Sequence, residues 1–405
     1  MRRRHIALLL ALVFALAVVA SGCGADDEED EAAPPAATGE ETTTTEEIDC
    51  AGKIAVQGPF TGDAASIGQE QLNFAKFAVS QYNEDHGTDF QLEEVDTQLD
   101  PAQASTTGQR LVSDDEILAV VGPAGSQEVE AVGPLFTRAN LGFVSGSATR
   151  TSLTESGDFP TFYRVVPNDD AQGPTIGDSI AQELEADEVF VIDDQSSYST
   201  GLADSATESL EGADITVRRD SVSQEQSDFS ALVSRVGQAD VVFLPWQLGA
   251  KAQVFGQQLR EQGSEAVIFG SDGLFTEDFS LEGSYVSSFA PDIKGIEESQ
   301  ELVSAYEAEY GEFTSTFGPP TFAATTVILD AIVAECEEGE PEREAVAERI
   351  GETDQEESIL GQPIRFDDNG DIEGARFFIF QVKGKGEYEP VEGEGGDDTG
   401  TETDG

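Results

Sequence analysis

The sequence predicts an α/β chain built of parallel sheets with helices on both faces. Two observations predict this class. Short apolar runs such as 117–121 and 241–244 lack the alternation of a half-exposed strand, so they suit strands covered on both sides. Each run leads through a Gly- or Ser-containing turn into a segment with helical apolar spacing, and such units repeat along the chain, as in crossover connections. A length of 405 residues is enough for two ordinary domains, each with its own core.

Residues 1–22 read as a targeting segment outside the fold. Arg2-Arg3-Arg4 is its basic start, residues 6–20 are unbroken apolar, and Ser21-Gly22-Cys23 follows. The apolar stretch is short for a membrane span, and no other stretch is longer and as apolar. Residues 23–47 form an acidic linker and residues 391–405 an acidic, Gly-rich tail; neither has enough apolar surface to fold. The first run of units has strands at 53–57, 90–96, 117–121 and 141–144, with helices at 66–83, 102–112 and 126–138, the last carrying Pro134 as a kink. Residues 162–166 with Pro167 close it. A second run begins near Gly173, with helices at 175–184, from Tyr198 to about 210, 229–236 and 250–262, and strands at 189–192, 215–217, 241–244 and 266–269. Three helices near 298–310, 320–335 and 342–350 come next, then closing strands at 364–366 and 377–382.

The chain carries 81 acidic against 21 basic residues, net −60. Such a charge repels phosphate backbones and anionic lipid, so no nucleic-acid partner is expected. The acidity suits a solvated surface in a saline medium, or a cationic partner. With Cys23 set aside, Cys50 and Cys336 remain; outside the cytoplasm they can pair, or they are two unrelated thiols. His86 is the one histidine beyond the targeting segment, which leaves a metal site poorly supported. There is no Gly-x-Ser-x-Gly elbow, Walker loop or Gly-x-Gly-x-x-Gly after a strand, so neither an enzyme nor a cofactor is expected.

The polar groups gather in the turns at strand ends: 58–62, 122–126, 145–149 and 270–273, with Tyr198 and Trp246 in two more. In open α/β sheets ligands sit at the carboxyl ends of strands, and helix N-termini there favour anions. A zwitterionic amino acid needs donors at one end and acceptors at the other. Ser126 and Thr149, with nearby backbone N–H groups, supply donors; Asp272 and the carbonyl of Ser147, beside Ala148, supply acceptors. Ile67, Phe60, Trp246 or Phe275 would meet the side chain. Each residue also has a plain structural reading: Ser126 as a helix cap, Thr149 and Asp272 as turn residues, Tyr198 and Trp246 as packing.

Taken in order, GPFTGDAASIGQEQLNFAKFAV, VVGPAGS, FVSGSATRTSLT, FYRVVPNDDAQGP, VIDDQSSYSTGLADS, DFSALVSRV, GSDG and IRFDDNGD resemble a type I periplasmic binding protein of the branched-chain-amino-acid group that feeds ABC importers, over residues 53–382. The segment ending at Cys23 resembles a bacterial lipoprotein signal, with Cys23 lipidated. The resemblance implies two Rossmann-like lobes joined by three crossings, residues 48–167 with 290–372 and residues 168–289 with 373–390. It implies a monomer outside the cytoplasm, held to the membrane by its lipid alone, that closes on an aliphatic or branched-chain amino acid and hands it to a permease and ATPase complex. By position Ser126 and Thr149 resemble the residues that take the carboxylate, Ser147, Thr149 and Asp272 those that take the ammonium, and Tyr198 the tyrosine that closes over the ligand. Ile67 stands where relatives often have an aromatic residue, and Pro245-Trp246-Gln247 replaces a Gly- and Tyr-rich turn. A ligand-dependent sensor, or a binding protein for urea, short amides or aromatic acids, is the alternative.

Overall fold

In the computed structural model β1 (Ala51–Gly58), α1 (Ala65–His86), β2 (Asp89–Asp96), α2 (Pro101–Ser113), β3 (Ile117–Val121), α3 (Ser126–Arg138), β4 (Gly142–Ser145), α4 (Ser152–Glu155) and β5 (Phe162–Arg164) alternate along the chain. The five strands form one sheet in the order β2-β1-β3-β4-β5, all parallel. β3 and β4 are buried at every residue; β3 is continuously apolar, as a strand covered on both faces requires, and β4 ends in the polar Ser145. The structure describes residues 50–313 and 316–391. The targeting segment, Cys23, the linker and residues 392–405 of the tail lie outside the described residues.

A second set follows: α5 (Asp169–Gln182), β6 (Glu188–Asp193), α6 (Ser197–Gly212), β7 (Thr216–Ser221), α7 (Ser230–Val233), β8 (Val241–Leu244), α8 (Gly249–Glu261), β9 (Val267–Gly270) and β10 (Tyr285–Ser288). The chain then returns to the first sheet through α9 (Gln300–Tyr310), α10 (Gly318–Glu338) and α11 (Arg343–Gly351), with a small ladder of β11 (Asp354–Gln355) and β12 (Ile364–Arg365). It ends in the second sheet as β13 (Phe378–Gly384) and β14 (Glu387–Pro390). That sheet runs β14-β13-β10-β9-β8-β6-β7; β13 is antiparallel to β10, β14 to β13, and the rest are parallel. The result is two α/β lobes.

Each sheet separates two apolar layers. In the first lobe Phe74 and Phe77 of α1 pack with Ile328 and Ile332 of α10 on one side, while Val129, Val132 and Phe136 of α3 pack with Leu111 of α2 on the other. Cys50, before β1, and Cys336, late in α10, are joined as a disulfide, which ties the start of the first lobe to the returning chain. β7 is an edge strand and the most polar one; its Arg218 pairs with Glu188 at 2.6 Å and its Arg219 with Asp204. Charge along an exposed edge discourages pairing with another chain.

Three elements differ from the sequence reading. α5 starts at Asp169, six residues early, with the Asn168 side chain accepting from Asp170 N–H as its cap. Gly173 and Pro174 lie inside it and do not precede it. Gly173 and Gly177 face Ser205 and Ser209 of α6 so closely that a Cβ on either would overlap the serine. Those glycines therefore serve helix contact and not a break. α7 is a single turn where a longer helix was expected, and Gly237, at φ +67°, lies in the turn beyond it. β14 was not anticipated at all: Tyr388 turns inward from an acidic segment, stacks on Phe275 at 3.8 Å and donates to Thr276 O at 2.8 Å.

Candidate ligand-binding site

The first-lobe half of the site is made by two neighbouring strand ends. After β3, Gly122 takes φ +98°, and a Cβ there would lie 2.4 Å from Gln57 O, so no side chain fits. The turn then delivers Gly125 as the cap residue of α3. Glu128, one turn into the helix, accepts from Gly125 N–H at 2.7 Å. Burial pushes its carboxyl up to about 7. Ser126 does not cap the helix; it is the first helical residue, and its hydroxyl accepts from Arg150 N–H at 3.3 Å. The Ser126 and Gln127 N–H groups have no intrahelical acceptor by position and point out of the helix start.

After β4, the Ser145 hydroxyl organises the second turn, accepting from Ser147 and Ala148 N–H at 3.3 and 3.0 Å. Ser147 donates to Ala124 O at 2.8 Å and accepts from Gln71 at 2.8 Å, which links both turns to α1. The Ala148 and Arg150 carbonyls, one on each side of Thr149, both accept from the Arg164 guanidinium, at 3.1 and 2.8 Å. Arg164 has no exposed side-chain surface and is ion-paired with Asp371, which also accepts from Asn168 and Thr154 at 3.0 Å each. One buried arginine therefore fixes the Thr149 turn, the end of β5 and a returning segment of the chain.

The second-lobe half comes from α5, α6 and the end of β9. Tyr198 donates to Asp272 Oδ1 at 2.6 Å, and Gln172 donates to the same oxygen and to Ser287 Oγ, the latter at 2.8 Å. Asp272 is buried, and desolvation pushes its carboxyl up to about 6 against those two hydrogen bonds. Asp169 heads α5 and its N–H donates to Thr149 O at 2.8 Å, so the two halves meet here. Burial pushes the Asp169 carboxyl up to about 7; Asp272 adds to the shift, while the nearby Thr149 hydroxyl, Arg164 and Arg150 oppose it. Among the described residues no hydrogen bond meets either Asp169 oxygen, the Thr149 hydroxyl or Gln172 Oε1, all of them buried.

Ser126, Thr149, Tyr198 and Asp272 are thus brought into one buried cluster, with Ser147 and Ala148 in the turn that presents Thr149. Trp246 and Ile67 are placed elsewhere. The Trp246 indole N–H donates to Ile192 O at 2.6 Å and its rings pack on Phe229 and Phe255 in the second-lobe core. Ile67 belongs to the first-lobe core, and Phe275 packs against Phe380 and Tyr388. Asp169, Gln172 and Arg164 were not singled out from the sequence. Their signal lay in FYRVVPNDDAQGP, where an arginine and two amides or acids flank a helix start. Among the described residues no group of His, Cys, Asp or Glu is placed to hold a metal ion, and no helix is long and apolar enough to cross a membrane.

The lobes touch directly across this cluster. Gln127 donates to Gln247 at 2.9 Å, Arg150 donates to Ser197 O, and Leu248 packs with Ala64 and Leu99. Chemically the seam offers acceptors and partial negative charge on the α5 side and helix-start N–H groups on the α3 side.

Residues 52–387 match the family described as periplasmic binding protein. A leucine-, isoleucine-, valine-, threonine- and alanine-binding protein of Pseudomonas aeruginosa is 28% identical over 345 residues, 81% of this chain and 89% of the relative. Among solved structures, a leucine binding protein from Thermotoga maritima superposes with a TM-score of 0.76 at 23% identity, covering 84% of this chain and 97% of that one. A branched-chain amino acid transporter substrate binding protein from Streptococcus pneumoniae, solved in complex with isoleucine, gives 0.75 at 24% identity, covering 84% and 99%. Proteins of this family bind solutes and are not enzymes. With the family match spanning both lobes, the chain belongs to the periplasmic binding proteins.

Proposed function

We propose that this protein captures an amino acid of aliphatic or branched-chain type between its lobes and delivers it to an ABC importer. The observation that carries the reading is the pair of buried acids at the lobe seam. Asp169 and Asp272 sit near each other with the buried Thr149 hydroxyl beside Asp169, and the next residue, Arg150, donates its N–H to Ser126 at the start of α3. Two desolvated carboxylates facing each other are unfavourable by themselves and favourable around an ammonium. The Ser126 hydroxyl and the α3 N–H groups take the carboxylate of the same ligand. Tyr198 and Gln172 hold Asp272 in place from the second lobe. A ligand bonded to both lobes favours closure only by the contacts it makes in the closed state and lacks in the open one. The importer reads that closure. Capture takes place outside the cytoplasm, with the lipidated Cys23 as anchor and the linker giving the folded part freedom to turn.

Calorimetry and thermal shift against the twenty amino acids, urea, acetamide and simple aromatic acids test the substrate class. A ligand at a hundred times its Kd stabilises by about 2.7 kcal/mol. Neutral aliphatic amino acids should give the largest shift, and Asp272→Ala should abolish it with the fold intact. A response to urea or an aromatic acid and to no amino acid would overturn the proposal. The anchor is tested apart from binding: Cys23→Ser should release the protein from the membrane fraction without altering affinity.

A further inference from the structure

We propose that Arg150 is a clamp across the cleft: a positioning residue that biases the two lobes toward closure and is not itself a ligand contact. Its effect on affinity rests on the amino-acid-binding reading above; its effect on closure does not.

Arg150 directly follows Thr149 and is held at two ends. In its own lobe, Nε donates to Ser152 Oγ at 3.0 Å and lies 3.3 Å from a Glu130 carboxylate oxygen on α3. In the other lobe, Nη1 donates to the Ser197 carbonyl at the start of α6 and stands 3.4 Å from Thr200 Oγ1. α6 carries Tyr198 and packs along α5, which carries Asp169 and Gln172, so the guanidinium fastens the helix pair that bears the acidic half of the site. Gly201 leaves room for the guanidinium. A Cβ there would lie 2.9 Å from Arg150 Nη1 and 3.4 Å from both its Cγ and Asp169 Oδ2. Other direct contacts across the seam join Gln127 to Gln247, Leu248 to Ala64 and Leu99, Asp169 N–H to Thr149 O, and the Thr151 hydroxyl to Asp170 at 2.8 Å; none of these four brings a cation. In a chain of net charge −60, closing two acidic lobes is opposed by repulsion. A cation fixed between them acts against that repulsion, and a hydrogen bond from an ionised donor is stronger than a neutral one.

A clamp and a ligand contact leave different marks. If only the closed state binds tightly, the apparent Kd is the intrinsic value divided by the closed fraction. Loss of a clamp therefore weakens every ligand by the same factor and leaves their order unchanged. Loss of a contact changes the order, because ligands use it differently.

The test uses Arg150→Gln, Arg150→Lys and Gly201→Ala in the full chain. Small-angle scattering of ligand-free protein reads the open fraction, and calorimetry reads a series of amino acids. For R150Q the radius of gyration should rise toward the open form, and all affinities should fall about tenfold in parallel. R150K should recover part of both effects, and G201A, which makes the guanidinium tip shift, should show a smaller change in the same direction. An R150Q protein that scatters like the parent, or that reorders its ligands, overturns the clamp. If R150Q fails to fold by circular dichroism, the R150K scattering curve decides: a radius of gyration equal to the parent's overturns the clamp, and one raised toward the open form supports it. Should no amino acid bind even the parent, the functional reading fails while scattering still decides the clamp.

Discussion

Asp371 and Asp169 are both carboxylates largely withdrawn from water where the lobes join, but their surroundings differ. Asp371 is met by the Arg164 guanidinium, the Asn168 amide and the Thr154 hydroxyl. Asp169 is 2% exposed and accepts no hydrogen bond among the described residues. A buried charge with a partner at each lone pair belongs to the scaffold. A buried charge whose oxygens are unmet pushes its own pKa upward and weakens the fold, and such groups are kept where function needs them. The difference divides the seam into a part that holds the lobes in register and a part suited to grip a cation.

Removing Arg164 should have the largest effect on stability. Arg164→Met leaves Asp371 buried without its countercharge and frees the Ala148 and Arg150 carbonyls. Loss of one partner of a buried pair costs about 3–5 kcal/mol, which urea unfolding followed by fluorescence would register as a lower midpoint. A loss below about 1 kcal/mol would mean that the pair is no more structural than an exposed one, and the comparison would break.

Asp169→Asn should act in the opposite sense on stability. While keeping the shape, it removes a buried charge that Thr149, Arg164 and Arg150 offset only in part, so the unliganded protein should gain about 1–3 kcal/mol at pH 8. Amino-acid affinity should fall by about a hundredfold, since the ammonium loses one of two charged acceptors. Opposite signs for folding and binding would sharpen the contrast with Arg164. A variant that loses both together would place Asp169 with Asp371 in the scaffold.

This contrast was only partly legible in the chain. The buried strands could be read because burial on both faces leaves no polar residue in them, and the site turns because they follow those strands. Ser126, Thr149, Tyr198 and Asp272 share that origin. Asp169 and Gln172 lay six and three residues before the expected start of their helix, because Gly173-Pro174 looked like a break; what excuses the glycine is Ser205 on another helix, which no local pattern records. Arg164 and Asp371 are 207 residues apart, and nothing in either segment announces the other. The position of Trp246 at a strand end is readable, but the direction of its ring is decided by Phe229 and Phe255, which are far away in sequence.

The two buried acids of the site give the next effect, through pH. Their ordinary value is 3.8, and burial pushes Asp169 to about 7 and Asp272 to about 6. Folded protein thus holds more protons than unfolded protein between about pH 4 and 7. By linkage these groups lower stability as pH rises through that window, with the full penalty above 7. Glu128, at about 7 from burial, adds to the same trend. Binding an ammonium needs the ionised forms, so affinity should move the other way, gaining roughly tenfold or more from pH 5.5 to 8. Denaturant curves and calorimetry at both pH values check the two slopes. Affinity that is flat with pH would show that the acids do not meet the cation.

The smallest expected effect concerns carboxylates of a third kind, exposed at the rim of the cleft. Glu312 of the first lobe and Glu277 and Asp278 of the second line one opening between the lobes, with Lys385 beside Glu277 at 3.0 Å; Glu70, half-buried and accepting from Gly318 N–H, lies behind them. Closure brings these like charges together, and because they face water, salt can screen them; at 0.1 M the screening length is about 10 Å. The proposed ammonium contact with Asp169 and Asp272 would be buried and screened far less. The two effects of salt oppose each other, and the rim should win because its charges are wet. Affinity should therefore rise two- to threefold, on the order of 0.5 kcal/mol, between low salt and half-molar sodium chloride. In Glu277→Gln with Asp278→Asn that rise should shrink. Affinity that falls with salt in both proteins would mean that solvent reaches the inner acids, and the line drawn between buried and exposed carboxylates would have to move inward.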